Sequence, residues 1–168
     1  QPDILVNNNG GPPFRDFRDL TREDMLEGVT MNFATPIELI QAVIDPMVEQ
    51  SFGRIVNITS VTVKRPVFGL DLSSGARAGL TAFLAGVARS VAEHNVTINH
   101  ILPGYIVTDM TAKAMSNDKF LTNVGKRIPV RRFGQPEDFG GLAAYLLSDL
   151  SSYHTGQTFT IDGGYTIF

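Results

Sequence analysis

The chain has 168 residues, 43% of them hydrophobic and 18% charged, which is the make-up of one ordinary globular domain with a substantial core. No apolar run approaches the ~20 residues of a membrane span and nothing reads as a signal peptide, so a cytoplasmic protein with no membrane partner is expected. A formal net charge of -3 argues against a nucleic-acid surface, and the absence of cysteine, with three scattered histidines, leaves no metal site expected.

In chain order, Ile4 to Asn8 reads as a short buried strand, ended by the turn cluster Asn7-Asn8-Asn9-Gly10-Gly11-Pro12-Pro13. Thr21-Arg22-Glu23-Asp24 has capping-box spacing and opens a helix expected from about Arg22 through Gln50. That helix contains Asn32 and should bend or break near Pro36 and again at Pro46. Gly53 to Thr59 is a β-branched apolar run, the mark of a strand buried on both faces. The loop from Ser60 leads into a helix lined with Ala76, Ala78, Gly79, Ala82, Ala85, Gly86 and Ala88, small enough to admit a second helix at close range.

Val96 to Leu102 is a third strand, closed by Pro103-Gly104-Tyr105-Ile106-Val107-Thr108. Between Asp109 and Val130 the sequence is polar and weakly periodic, which suits either a mobile substrate lid or a surface helical hairpin. The basic run Lys126 to Arg132 reads as a solvated loop. Pro136 lies at the first turn of a further helix, and Gln157 to Ile161 is the last strand, closed by Asp162-Gly163-Gly164. Strands alternating with helices predict an α/β fold with a parallel sheet, whose ligands gather at the carboxyl ends of the strands.

Several ordered motifs resemble the short-chain dehydrogenase/reductase family, with a flavour of 3-oxoacyl carrier-protein reductases. They are Asn7-Asn8-Asn9-Gly10 for N-N-A-G, MNFATPIELIQAV around Asn32, Ser60 at a strand end, P-G-Y-I-V-T from Pro103, and the R-F-G-x-P-E and D-G-G tail. The resemblance implies the C-terminal part of a Rossmann-like, doubly wound parallel sheet in three layers, entered at its fourth strand. The family's first strands and their glycine-rich pyrophosphate turn have no counterpart here, so a single partial domain belonging to a longer polypeptide is expected.

It further implies an NAD(P)-dependent oxidoreductase acting on a small carbonyl or alcohol substrate as a homodimer or homotetramer, with NAD and NADP left open. A non-catalytic relative that binds a nucleotide or a partner is the alternative. Asn7, Gly10, Arg77, Pro103, Gly104, Ile106 and Thr108 would hold the cofactor, and Ser60, Asn32, Ser73 and Arg77 would stand at the catalytic positions. Two of these depart from the family. Its Tyr falls on Ser73, thirteen residues after Ser60, and its Lys falls on Arg77.

The departure has chemical weight, because a phenol of pKa ~10 can be drawn toward neutrality by a neighbouring cation whereas a serine hydroxyl cannot. Arg77 keeps the charge but cannot release a proton. Tyr105, Asp71 and Lys64 are weaker candidates for a substitute donor.

Overall fold

A computed structural model describes residues 2–109, 111–112 and 116–167. Four strands form one sheet in the order β1 (Ile4–Asn7), β2 (Gly53–Ile58), β3 (Val96–Pro103) and β4 (Thr158–Ile161), and every pairing is parallel. The central strands β2 and β3 are almost wholly buried, as unbroken apolar runs in a parallel sheet require. β1 lies at the sheet edge, where Ile4 and Val6 remain 46% exposed.

Helices cover both faces. On one, α2 (Thr35–Glu49) and α3 (Asp71–Val91) bury Ile40, Met47, Leu80 and Leu84 against Ile55 and Ile98. On the other, the short α5 (Gly140–Leu146) places Leu146 on Val56 and Ile101. The three-layer α/β arrangement is therefore Rossmann-like.

The long helix expected from Arg22 divides in two. α1 (Arg22–Val29) starts at the capping box, in which Thr21 Oγ1 accepts from the Asp24 N–H while Asp24 accepts from the Thr21 N–H. A π-turn over Thr30–Ala34 then joins it to α2, closed by the Thr35 N–H donating to the Thr30 carbonyl. Pro36 has no N–H to offer the carbonyl four residues back, that of Asn32, so the backbone register can widen there. At Pro46, where a bend or a break is expected, α2 continues unbroken to Glu49. Met47, fully buried against Gly53, holds the last turn of α2 in place although one hydrogen bond is lost.

The stretch from Asp109 to Val130, read as lid or hairpin, contains α4 (Asp118–Gly125), capped by the Asn117 side chain. Met110, Lys113, Ala114 and Met115 of that stretch lie outside the described residues. The helix expected after Pro136 opens instead as a 3₁₀ turn, Pro136–Phe139, and becomes α-helical only at Gly140. No helix among the described residues is long and apolar enough to cross a membrane.

Candidate active site at the strand carboxyl ends

The carboxyl ends of β2 and β3, with the loop leaving β1, open into a cleft of about 630 Å³. Asn8 and Asn9 form one side, Ile58, Thr59 and Ser60 the floor, and Pro103, Gly104, Ile106 and Thr108 the opposite side. Pro136 and Phe139 close it from above, and Asp109 and Arg77 are the two charged residues that line it. Gly104 is required by a close approach: a Cβ there would stand 2.7 Å from Asp162 Cβ and 2.8 Å from Asp162 Cα.

Ser60 leaves β2 in an extended conformation and caps a short 3₁₀ turn, Val61–Val63. Its Oγ accepts from the Thr62 N–H at 3.2 Å and from the Thr62 hydroxyl at 3.0 Å. Both bonds are received, so the Ser60 hydroxyl hydrogen has no acceptor among the described residues and is free to donate into the cleft.

Arg77, on the second turn of α3, is 9% exposed. Its Nη1 donates to the Ile58 carbonyl at 3.0 Å, Nη2 to the Asn9 and Gly10 carbonyls at 3.1 and 3.2 Å, and Nε to Ser73 Oγ at 3.2 Å. The guanidinium thus clamps the end of β2 to the loop after β1, with one Nη1 hydrogen left over. Burial lowers its pKa, and no carboxylate lies within ion-pair distance among the described residues. It remains charged, since a guanidinium titrates far above neutrality.

Ser73 and Asn32 adjoin Arg77 without lining the cleft. Ser73 Oγ donates to Asn32 Oδ1 at 3.1 Å, and Asn32 Nδ2 donates to the Gly10 carbonyl. Asn32 lies within the π-turn, and its amide reaches the loop after β1. Together they form a chain Gly10–Asn32–Ser73–Arg77, closed on itself by the bond from Arg77 back to Gly10.

The residues expected from sequence therefore fall in two groups. Ser60, Arg77, Pro103, Gly104, Ile106 and Thr108 meet in the cleft, whereas Asn32, Ser73 and Gly10 do not line it and are joined to it through hydrogen bonds to one another and to Arg77. Asn7 lies inside the sheet at 3% exposure, donating to Asn57 Oδ1 and to the Pro36 carbonyl. Asn8, Asn9, Asp109, Thr111, Pro136 and Phe139 line the cleft without having been singled out as site residues. Asn9 carried a signal, as the residue in place of the family's Ala; Asn8 shares that motif and Asp109 follows Thr108. Thr111, Pro136 and Phe139 come from segments whose approach to the cleft only the folded chain displays.

Tyr105 does not reach it. Its ring packs edge-on against Tyr165, Phe120 and Phe133, with centroids 5.1, 5.8 and 6.5 Å away. Burial, with neighbouring Tyr165, pushes its pKa up to about 12, the wrong direction for a proton donor near neutrality. Lys64 is spent on Thr160 Oγ1 at 3.0 Å.

A family model described as enoyl-(acyl carrier protein) reductase matches residues 1–166. The chain belongs to the short-chain dehydrogenase/reductase family. An acetoacetyl-CoA reductase from Cupriavidus necator is 40% identical over 162 residues, covering 96% of this chain and 65% of the relative. A 3-oxoacyl-[acyl-carrier-protein] reductase FabG from Chlamydia pneumoniae is 36% identical over 98% of this chain and 65% of its own length. The chain thus spans just under two thirds of these family members.

Among solved structures, a putative gluconate dehydrogenase from Agrobacterium tumefaciens superposes with a TM-score of 0.96 at 29% identity, over 99% of this chain and 66% of the other. A gluconate 5-dehydrogenase from Burkholderia cenocepacia, in complex with NADP and tartrate, gives 0.95 at 27% identity, over 99% and 65%.

Proposed function

We propose that the polypeptide carrying this chain is an NAD(P)-dependent oxidoreductase that interconverts a small carbonyl and its alcohol in the cleft beside Ser60. The observation that carries the reading is the hydroxyl hydrogen of Ser60, free to donate in a cleft that also holds a desolvated cation, Arg77. Such a donor orients a substrate oxygen and stabilises the negative charge that grows on it during reduction.

The cleft fits the nicotinamide half of a dinucleotide. Arg77 retains one N–H for a ribose hydroxyl, and Thr108, Ile106 and the Pro103-Gly104 turn form a wall that backbone and hydroxyl groups can offer to a carboxamide. A nicotinamide bound there would supply the hydride. Thr108 is already ordered for such a role: its N–H donates to Thr111 Oγ1 at 2.9 Å, and the Thr111 hydroxyl in turn donates to the Ile106 carbonyl at 2.7 Å. Ser73, held by Asn32 and Arg77, fixes the guanidinium but supplies no acid, so proton delivery falls to water or to the substrate's own surroundings and turnover is slow.

Ser60→Ala is expected to lower kcat/KM on small ketones by about 10²-fold or more, the usual cost of one oxyanion donor, with cofactor affinity kept. Fluorescence titration with NADPH and NADH beside steady-state assays on a ketone panel tests this. A parent that binds a dinucleotide but reduces nothing would favour the second reading, a nucleotide-binding relative without turnover, to which the place of Ser73 outside the cleft lining lends weight.

The proposal extends to assembly and place. The outward side of α3 exposes Ala82, Ala85 and Gly86, with open space beside Gly75 and Gly86, and admits its own copy about a two-fold axis. Ala85→Trp should shift a homodimer or homotetramer toward smaller species in sedimentation velocity; an unchanged mass at dilute concentration counts against this interface. A cytoplasmic location agrees with a chemistry that draws on a cellular dinucleotide pool.

A further inference from the structure

A second cavity, of about 590 Å³, is lined by Arg65, Lys126, Arg127, Pro129 and Arg131. Four of the five are cations and none is an acid, in a chain whose net charge is -3. None of the four forms an ion pair among the described residues, whereas Arg132, next in sequence, is held in a bidentate pair by Asp138. Like charges gathered around one concavity repel one another, and no carboxylate pairs with them among the described residues.

Two of the four are built into position. Arg65 lies over the Tyr165 ring, its Cζ 4.7 Å from the centroid, and its Nη1 donates to the Tyr165 carbonyl at 2.6 Å. Arg131 adopts φ +61°, the left-handed region that suits glycine, while its Nη1 donates to the Lys126 carbonyl at 2.8 Å. A long cationic side chain is thus kept at a backbone position where glycine would be easier. The volume is that of a small-molecule site.

We propose that this cavity binds the phosphate groups of a small phosphorylated ligand, at a site separate from the strand-end cleft. Phosphate is the chemistry that fits. Three guanidinium groups offer forked donors matched to its oxygens, a lysine adds a point charge, and four positive charges call for a polyanion. The concavity is half open, with Lys126, Arg127 and Arg131 exposed to solvent, so a small polyanion has access to it.

The test is isothermal titration of the full chain with inorganic pyrophosphate and with citrate, a carboxylate polyanion, with saturating NADPH present and absent, over a range of salt. Pyrophosphate is expected to bind saturably whether or not NADPH is present, and at least about tenfold more tightly than citrate. Arg131→Gly should weaken it about tenfold without lowering Tm, because glycine relaxes the left-handed backbone, a result that a purely structural role for Arg131 would not produce. Arg127→Gln, whose backbone is unstrained, should weaken it similarly. The proposal is overturned if pyrophosphate fails to bind, if NADPH displaces it, if citrate binds as well, or if both variants bind it like the parent. Because binding is read directly, its failure is separate from any failure of the oxidoreductase reading.

Discussion

A variant carrying Ser73→Tyr together with Arg77→Lys is expected to reduce ketones on the order of 10²–10⁴ faster than the parent, the gain associated with a positioned general acid. The phenol would rise from the first turn of α3, where Ser73 Oγ now donates to Asn32 and accepts from Arg77. A lysine one turn later would set an ammonium beside it, lowering its pKa and passing protons on. Either change alone should achieve less. With Ser73→Tyr the guanidinium stays committed to the carbonyls of Ile58, Asn9 and Gly10, and with Arg77→Lys those carbonyls lose donors while no acid appears. Single and double variants, compared on one ketone panel with saturating NADPH and separately NADH, decide it. A parent already as fast as the double variant would mean that another group delivers the proton; Tyr105→Phe, half-buried outside the cleft and with its pKa raised, should leave the rate unchanged.

The parallel sheet was legible because its strands are short β-branched runs closed by Asn-Asn-Asn-Gly, Thr-Ser, Pro-Gly and Asp-Gly-Gly, and each was placed within about one residue of its observed ends. Local chemistry also announced the start of α1, since a hydroxyl and a carboxylate three residues apart can satisfy each other's backbone. Position within the site was less legible. Spacing put Ser60, Ser73 and Arg77 on one strand-loop-helix unit, but it could not say that the guanidinium, longer than the family's lysine, would reach three backbone carbonyls and the Ser73 hydroxyl together. That Pro46 leaves the helix unbroken was hidden for a related reason. A proline in a helix costs a hydrogen bond, yet burying Met47 against β2 outweighs that loss, and tertiary packing is invisible to a local rule. The basic run Lys126 to Arg132 keeps its charged residues exposed, as read, but that it shares a concavity with Arg65, some sixty residues earlier in the chain, was not legible.

Acid is expected to destabilise the fold between pH 6.5 and 4 through His100. This residue stands in the middle of β3, in register with Asn57 and Thr158, at 1% exposure and with neither ring nitrogen partnered. It shares the sheet face of Ile98, toward α2 and α3, where the Asn57 amide is already taken up by the Asn99 carbonyl and Asn7. Burial of the ring lowers its pKa from 6.5 to about 4. The unfolded chain therefore binds the proton first as pH falls, so the stability of the neutral buried ring is full above pH 6.5 and is lost progressively down to pH 4. The loss amounts to about 3 kcal/mol. The two carboxylates with shifted pKa, Asp24 and Asp138, lie lower in the folded than in the unfolded chain, so their contribution fades only below about pH 4 and leaves this window to the histidine. His100→Leu keeps the position apolar and removes the two unpartnered nitrogens. Urea unfolding at half-unit steps from pH 8 to 4 should show the variant within ~1.5 kcal/mol of the parent near neutrality and pulling ahead of it by about 3 kcal/mol as the window is crossed. Two curves that stay parallel throughout would show that the ring does not carry the acid sensitivity.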